Sequence, residues 1–204
     1  MTRPNFLFIG PSKTASSWLQ AVLTAHHRVY IPPAKDFYFF DRYFDRGLDW
    51  YLGFFKDAPD SAIAIGEISH DYIHDPAAAG RIHEALPECR IIATLRHPLD
   101  RAVSEYRYMY QAGWVGRDFD AALTAQPSIL GNSRYARDLP VWLETFPRDR
   151  LLIQNYDALR TDPHAFADEI LDFLDLPRQE DLPVDERVRA AGTARNRLVA
   201  RLVK

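Results

Sequence analysis

With 204 residues, 47% of them apolar, the chain is long enough to bury a sizeable core, and residues 1–204 read as one large domain. Its 25 Lys and Arg against 28 Asp and Glu leave a net charge of −3, so no global basic field marks a nucleic-acid or anionic-membrane partner. Cys89 is the lone cysteine, which excludes an internal disulfide and the usual cysteine-based zinc frameworks. No apolar run approaches the ~20 residues a membrane helix needs. A strand-like segment already begins by Asn5, leaving no room for a signal peptide, and the expectation is a soluble, cytoplasmic protein.

In chain order, compact apolar runs alternate with helical periodicities, the pattern of an α/β fold with a mainly parallel central sheet flanked by helices. Strands are expected at Asn5–Ile9, Ala62–Ile68, Arg90–Leu95 and Leu151–Gln154, with a weaker one at Val29–Ile31. After the first strand, Leu19, Val22, Leu23 and His26 share one helical face; after the third, Leu99, Ala102, Val103, Tyr106 and Tyr110 do the same, with Pro98 suited to the first turn. Further helices are expected at Pro76–Leu86, Asn132–Thr145 and Pro163–Leu174, the last capped by Asp162. The tail from Val184 to Lys204 is helical in character and rich in arginine.

The stretch Phe6-Leu-Phe-Ile-Gly-Pro-Ser-Lys-Thr-Ala-Ser-Ser-Trp18 breaks from an apolar strand at Gly10 into a hydroxyl-rich loop and then enters a helix. That arrangement builds an anion cradle from backbone N–H groups and the positive end of a helix dipole. A triphosphate loop places its lysine after a second glycine. Here Ala15 and Ser16 occupy those positions and the lysine is Lys13, so the loop suits a phosphate but poorly matches a Mg-bound triphosphate.

A second site is expected where Arg90-Ile-Ile-Ala-Thr-Leu-Arg96-His-Pro-Leu-Asp-Arg101-Ala-Val-Ser104 leaves its strand. Ligands gather outside the carboxyl ends of parallel strands, so Arg96 should emerge beside the Lys13 loop. Its guanidinium fork and the Ser104 hydroxyl suit a second phosphate. The alternative is that Arg96 pairs with a carboxylate such as Asp100 and Ser104 caps a turn.

Both segments resemble the two cofactor-binding signatures of sulfotransferases that use 3′-phosphoadenosine-5′-phosphosulfate. Gly10–Trp18 is similar to the 5′-phosphosulfate loop, and Leu95–Ser104 to the 3′-phosphate motif Arg-x-Pro-x-x-Arg-x-x-Ser. Lys35-Asp-Phe-Tyr-Phe-Phe-Asp41, Gly47-Leu-Asp-Trp-Tyr51, Gly66-Glu-Ile-Ser-His-Asp-Tyr72 and Asn155-Tyr-Asp-Ala-Leu159 follow in the order seen in the glycan-modifying branch, similar to heparan sulfate N- and 3-O-sulfotransferases. The resemblance covers most of residues 5–176 and implies a P-loop NTPase-like sulfotransferase fold that needs no metal.

The resemblance implies that Lys13 stabilises the leaving phosphate oxygen, with Ser12, Thr14, Ala15, Ser16, Ser17 and Trp18 completing the 5′-phosphate loop and Arg96 and Ser104 holding the 3′-phosphate. Asp36 stands where relatives place a glutamate base, and Tyr38 where they place a histidine. Lys35, Tyr38, Glu67 and His70 are candidate acceptor contacts, His70 or His97 also being possible aids to proton transfer. Ile68 replaces a lysine that meets acidic sugars in relatives, which argues against a uronic-acid polymer. Trp50, Tyr51, Phe54 and Phe55 would serve either as a sugar-stacking surface or as core, and Tyr135 resembles a cofactor-proximal tyrosine. The family's C-terminal covering loop has no convincing match; Gly192-Thr-Ala-Arg195 is its one candidate. The expected function is transfer of sulfate to a hydroxyl or amine of a carbohydrate or glycosylated small molecule. The alternatives are a nucleotide kinase or NTPase using the same loop, or a non-catalytic nucleotide-binding module.

Overall fold

The computed structural model describes residues 2–186; the arginine-rich tail beyond Glu186 and the Gly192–Arg195 candidate clamp lie outside the described residues. Its elements are β1 (Phe6–Gly10), α1 (Ser16–Ala25), β2 (Val29–Tyr30), α2 (Leu48–Leu52), β3 (Ala64–Ile68), α3 (Pro76–Ala85), β4 (Arg90–Leu95), α4 (Pro98–Gln111), α5 (Phe119–Ala125), α6 (Ser128–Gly131), α7 (Tyr135–Thr145), β5 (Leu151–Asn155), α8 (Tyr156–Thr161) and α9 (Pro163–Phe173). The five strands form one parallel sheet in the order β2-β3-β1-β4-β5. None of the described helices is long and apolar enough to cross a membrane.

Every residue of β1 is buried because both faces of the sheet are covered, as in parallel sheets generally. Leu7 and Ile9 point into a cluster with Ile91, Ala93, Ile82 and Trp142; Phe6 and Phe8 point the other way, against Leu19, Leu23, Phe166 and Ile170. Strand order reverses between β1 and β4, which lie side by side with Phe6 opposite Arg90 and Gly10 opposite Ala93. The loops after these two strands therefore open on the same edge, at the switch point where α/β sheets form their ligand crevice.

Two expectations about helices need correction. The apolar stripe assigned to α4 is only partly its buried face: Ala102, Tyr106 and Tyr110 pack into a core cluster, but Leu99 is 63% and Val103 37% exposed, and Arg101 is fully buried beside Ala102. A buried guanidinium is tolerable only when its donors are matched. Here Ser133 Oγ (2.6 Å) and Ser12 Oγ (3.3 Å) accept from it, as do the carbonyls of Ser128 and Ile129. The helix expected at Asn132–Thr145 begins only at Tyr135, because Ser133 belongs to a turn that serves Arg101.

Candidate active site

β1 ends at Gly10, where φ is +108° and an added Cβ would stand 2.2 Å from the His70 carbonyl oxygen. The following loop contains two left-handed residues, Lys13 (φ +67°) and Ala15 (φ +71°), either side of Thr14. Thr14 is fully buried and donates its hydroxyl to the Pro11 carbonyl at 2.7 Å; it ties the turn together instead of offering its hydroxyl to a phosphate. α1 starts directly after Ala15 with no side-chain cap, so its first-turn N–H groups stay available to an anion. Of the five non-glycine residues with positive φ among those described, four are Lys13, Ala15, Asp36 and Tyr38. Such conformations cost about 1–2 kcal/mol each and cluster at functional sites, so both segments singled out in the sequence carry local strain.

The crevice joins the two loops. Arg96 donates from Nη1 to the Lys13 carbonyl at 3.4 Å, stacks its guanidinium 4.7 Å over the Tyr156 ring, and is held through its own carbonyl by the Tyr135 hydroxyl at 2.9 Å. No described carboxylate pairs with Arg96, so the expected alternative partner Asp100 is not engaged. Ser104 is half-buried on α4. An open cleft of about 560 Å³, lined by His97, Asp100, Asp157, Arg160 and Thr161, lies alongside.

Lys13 Nζ rests 4.2 Å over the Tyr108 ring. Burial lowers its pKa, opposed by Glu105 and assisted by Arg101 and Arg96. Ser12 donates to Glu105 Oε2 at 2.9 Å while accepting from Arg101. Lys35 reaches the same loop: its Nζ donates to Ser16 Oγ at 3.2 Å and to Ser17 Oγ at 3.5 Å. Burial lowers its pKa too, with Asp36 opposing. Lys35 thus faces the phosphate loop and not Asp36.

The Asp36 carboxylate instead takes His70, with Nδ1 at 2.6 Å and the backbone N–H at 3.3 Å from Oδ1. Asp71 stands 3.6 Å from the other ring nitrogen. Burial alone would lower the His70 pKa, but the hydrogen bond and charge of Asp36, with Asp71, outweigh it and raise the pKa. Tyr38 stacks under Arg42 at 3.9 Å and its hydroxyl is pushed up to about 12 by burial and by Asp36 and Asp71, so it stays protonated at neutral pH.

Two expected contacts, Trp18 and Glu67, are corrected, and the open choice for the 50–55 aromatic group is decided in favour of core. Trp18 is buried, donates from Nε1 to the Val184 carbonyl at 2.9 Å and meets Phe166 edge-on; it is core, not loop lining. Glu67 is 1% exposed and reaches neither solvent nor an arginine. The Tyr51 and Tyr72 hydroxyls stand beside it, yet neither carboxylate oxygen has a hydrogen bond of good geometry. Burial drives its pKa up to about 8. Tyr51 and Phe55 are fully buried, Phe54 stacks on Phe37, and Trp50 packs on Phe39 and Phe54, so this group is core and not a sugar platform. Arg101 and Tyr156 lie within motifs that the sequence singled out but were given no role there, and Glu105 and Tyr108 were missed; the Arg101–Glu105 spacing of four on one helix was the available signal for Glu105.

A parallel sheet whose β1–α1 and β4–α4 loops meet where the strand order reverses defines the class of α/β proteins with a ligand crevice outside the carboxyl ends of their strands. Within that class the chain belongs to the sulfotransferase family, whose model matches residues 74–181. It is 34% identical over 193 residues to human bifunctional heparan sulfate N-deacetylase/N-sulfotransferase 3, a match covering 84% of this chain and 22% of that protein. To mouse heparan sulfate glucosamine 3-O-sulfotransferase 6 it is 30% identical over 184 residues, covering 86% of this chain and 53% of the relative. The chain thus spans about a fifth and about half of the length of these two relatives. The crystal structure of a sulfotransferase from Alicyclobacillus acidocaldarius superposes with a TM-score of 0.80 at 25% identity, covering 93% of this chain and 88% of that one.

Proposed function

We propose that the protein transfers a sulfuryl group from 3′-phosphoadenosine-5′-phosphosulfate to a hydroxyl or amine of a carbohydrate or glycosylated small molecule. The observation that carries this reading is the junction of the two loops, where Arg96 donates to the Lys13 carbonyl beside the uncapped start of α1. One cradle of N–H groups and one guanidinium with no carboxylate partner among the described residues, on the same edge, suit a ligand with phosphates at two places. The open cleft beside Arg96 has two carboxylates, Asp100 and Asp157, among its five lining side chains; it suits a nucleoside better than a further phosphate.

When bound, the donor supplies the activated sulfuryl group. The chain positions it and stabilises charge, the dominant contributions in transfers of this type. Lys13 neutralises the phosphate oxygen as it is released, and its lowered pKa reflects an ammonium partly stripped of water, which strengthens its field. Lys35, donating to the Ser16 and Ser17 hydroxyls, holds a second positive charge at the same loop. Asp36 removes the acceptor proton, with His70 fixing the carboxylate through Oδ1.

Thermal-shift titration with adenosine 3′,5′-bisphosphate against ATP plus Mg tests the donor. A larger shift with ATP would favour a kinase or NTPase. Labelled-sulfate transfer to a glycoside panel, with Lys13→Ala as control, tests turnover; binding without transfer to any acceptor would favour a non-catalytic module.

A further inference from the structure

With the 50–55 aromatic group in the core, an acceptor needs another surface. Among the described residues the large aromatic side chains left substantially exposed are Tyr43, Phe44, Tyr108 and Trp114. Tyr43 and Phe44 lie under the guanidinium groups of Arg46 (5.3 Å) and Arg81 (4.7 Å). Tyr108, 42% exposed, and Trp114, 48% exposed, meet edge to face with centroids 5.7 Å apart, and Tyr108 also carries the Lys13 ammonium.

The backbone holds this pair in place. α4 ends at Gln111, Gly113 takes a left-handed conformation (φ +77°), and the Trp114 N–H donates back to the Met109 carbonyl at 2.9 Å. The chain therefore reverses over its own last turn and brings Trp114 back to Tyr108, six positions earlier. Val115 is buried with Ala102, Ala122 and Ile129 and pins the reversal from inside. The indole is thus presented outward by an anchored turn. Adjacent exposed aromatic rings at the edge of a polar site mark a binding surface.

We propose that Tyr108 and Trp114 form the acceptor platform, stacking the apolar C–H face of an uncharged sugar ring beside Lys13. The inference rests on the sulfuryl-transfer reading and names its acceptor class. A pyranose has an apolar face to match an aromatic ring and hydroxyls on its rim to meet Lys13 and Asp36. The two rings carry no charge of their own, the Lys13 ammonium on Tyr108 is taken by the donor's phosphate in the sulfuryl-transfer reading, and β3 ends in the buried Ile68, which adds no cation for a uronate.

The test is calorimetric titration of methyl glycosides of glucose, galactose and N-acetylglucosamine, and of methyl glucuronide, into protein saturated with adenosine 3′,5′-bisphosphate. At least one uncharged glycoside is expected to bind, and to bind about tenfold more weakly, near 1.4 kcal/mol, to Trp114→Ala and Tyr108→Leu. Trp114→Phe should retain most of the affinity, and adenosine 3′,5′-bisphosphate should bind the two Trp114 variants as it binds the wild type, since Trp114 does not touch the phosphate loop while Tyr108 carries Lys13. Unchanged glycoside binding in both truncated variants, preference for the glucuronide, or no glycoside binding to the loaded wild type would each overturn the platform. Failure of the wild type to bind adenosine 3′,5′-bisphosphate at all would instead overturn the transfer reading, and the platform with it.

Discussion

His70 Nδ1 stands 2.6 Å from Asp36 Oδ1, across 34 positions of sequence, and the His70 backbone N–H points at the same oxygen. The pair is one unit: Asp36 is locked in a left-handed conformation (φ +58°) and its own N–H donates to the Ile68 carbonyl at 3.2 Å. Whichever residue carries the proton at a given moment, the geometry of each depends on the other.

Asp36→Asn should lower sulfate transfer by about 10²–10⁴-fold, the usual span for a positioned base. It should also lower the His70 pKa, because the raising contributions from Asp36 vanish while burial remains. The folded pKa of His70 lies above its ordinary 6.5. The pair's stabilisation is therefore fully present below about 6.5 and lost as pH rises through the folded value. The mutational penalty should accordingly shrink with rising pH. Imidazole titration by NMR and urea unfolding at several pH values measure both effects; a His70 titration unmoved by the substitution would break the link.

Glu67 gives a separate pH signature. Its folded pKa of about 8 exceeds the ordinary 4.5 because the charged form is desolvated. The neutral acid is compatible with burial, so the wild type is favoured at low pH and loses stability between about 4.5 and 8 with the slope of one proton. Glu67→Gln removes that titration. The stability difference between variant and wild type should tilt toward the variant across that window, and a flat difference curve would show that Glu67 is not held neutral.

All five strands were legible to within two residues, because each is a short contiguous apolar run and burial on both faces of a parallel sheet rewards that pattern. The crevice was legible as well, since Lys13 and Arg96 follow two of those strands. What could not be read was anything decided by partners distant in sequence. Arg101 is buried because residues 128, 129 and 133 offer acceptors, and Trp18 turns inward because Val184 offers a carbonyl. Neither is visible from a helical wheel. α2, α5, α6 and α8 have four to seven residues each, too few turns for periodicity to register.

Arg101→Ala should cost about 3–5 kcal/mol, the range for breaking a buried charged pair, because Glu105, Ser133 and the carbonyls of Ser128 and Ile129 all lose a partner. Arg101→Lys keeps the charge but not the five-donor fork, so most of that loss should persist. Both variants take one of Ser12's two side-chain partners and leave it Glu105 alone, and adenosine 3′,5′-bisphosphate affinity should fall with stability. Chemical unfolding checks the first effect; a loss below about 1 kcal/mol in Arg101→Ala would mean the network is not holding the loop.

Gly10 couples the phosphate loop to the Asp36–His70 pair, because the loop's first residue packs directly on the His70 backbone. In Gly10→Ala the new Cβ meets the His70 carbonyl oxygen at 2.2 Å and the carbonyl carbon at 2.7 Å, and backbone atoms cannot rotate away as a side-chain tip would. Either the loop or His70 must move. Gly47 supplies the control: its φ of +82° makes alanine strained as well, but nothing lies within 4 Å of its added Cβ. Gly47→Ala should therefore show only the backbone cost of an alanine at this positive-φ, extended-ψ position, about 1–3 kcal/mol, with adenosine 3′,5′-bisphosphate binding intact. Gly10→Ala should lose at least as much stability, bind that nucleotide at least about tenfold more weakly, and shift the His70 titration. Equal nucleotide affinity in the two variants would mean that strain alone, and not the packing of loop against base, separates them from the wild type.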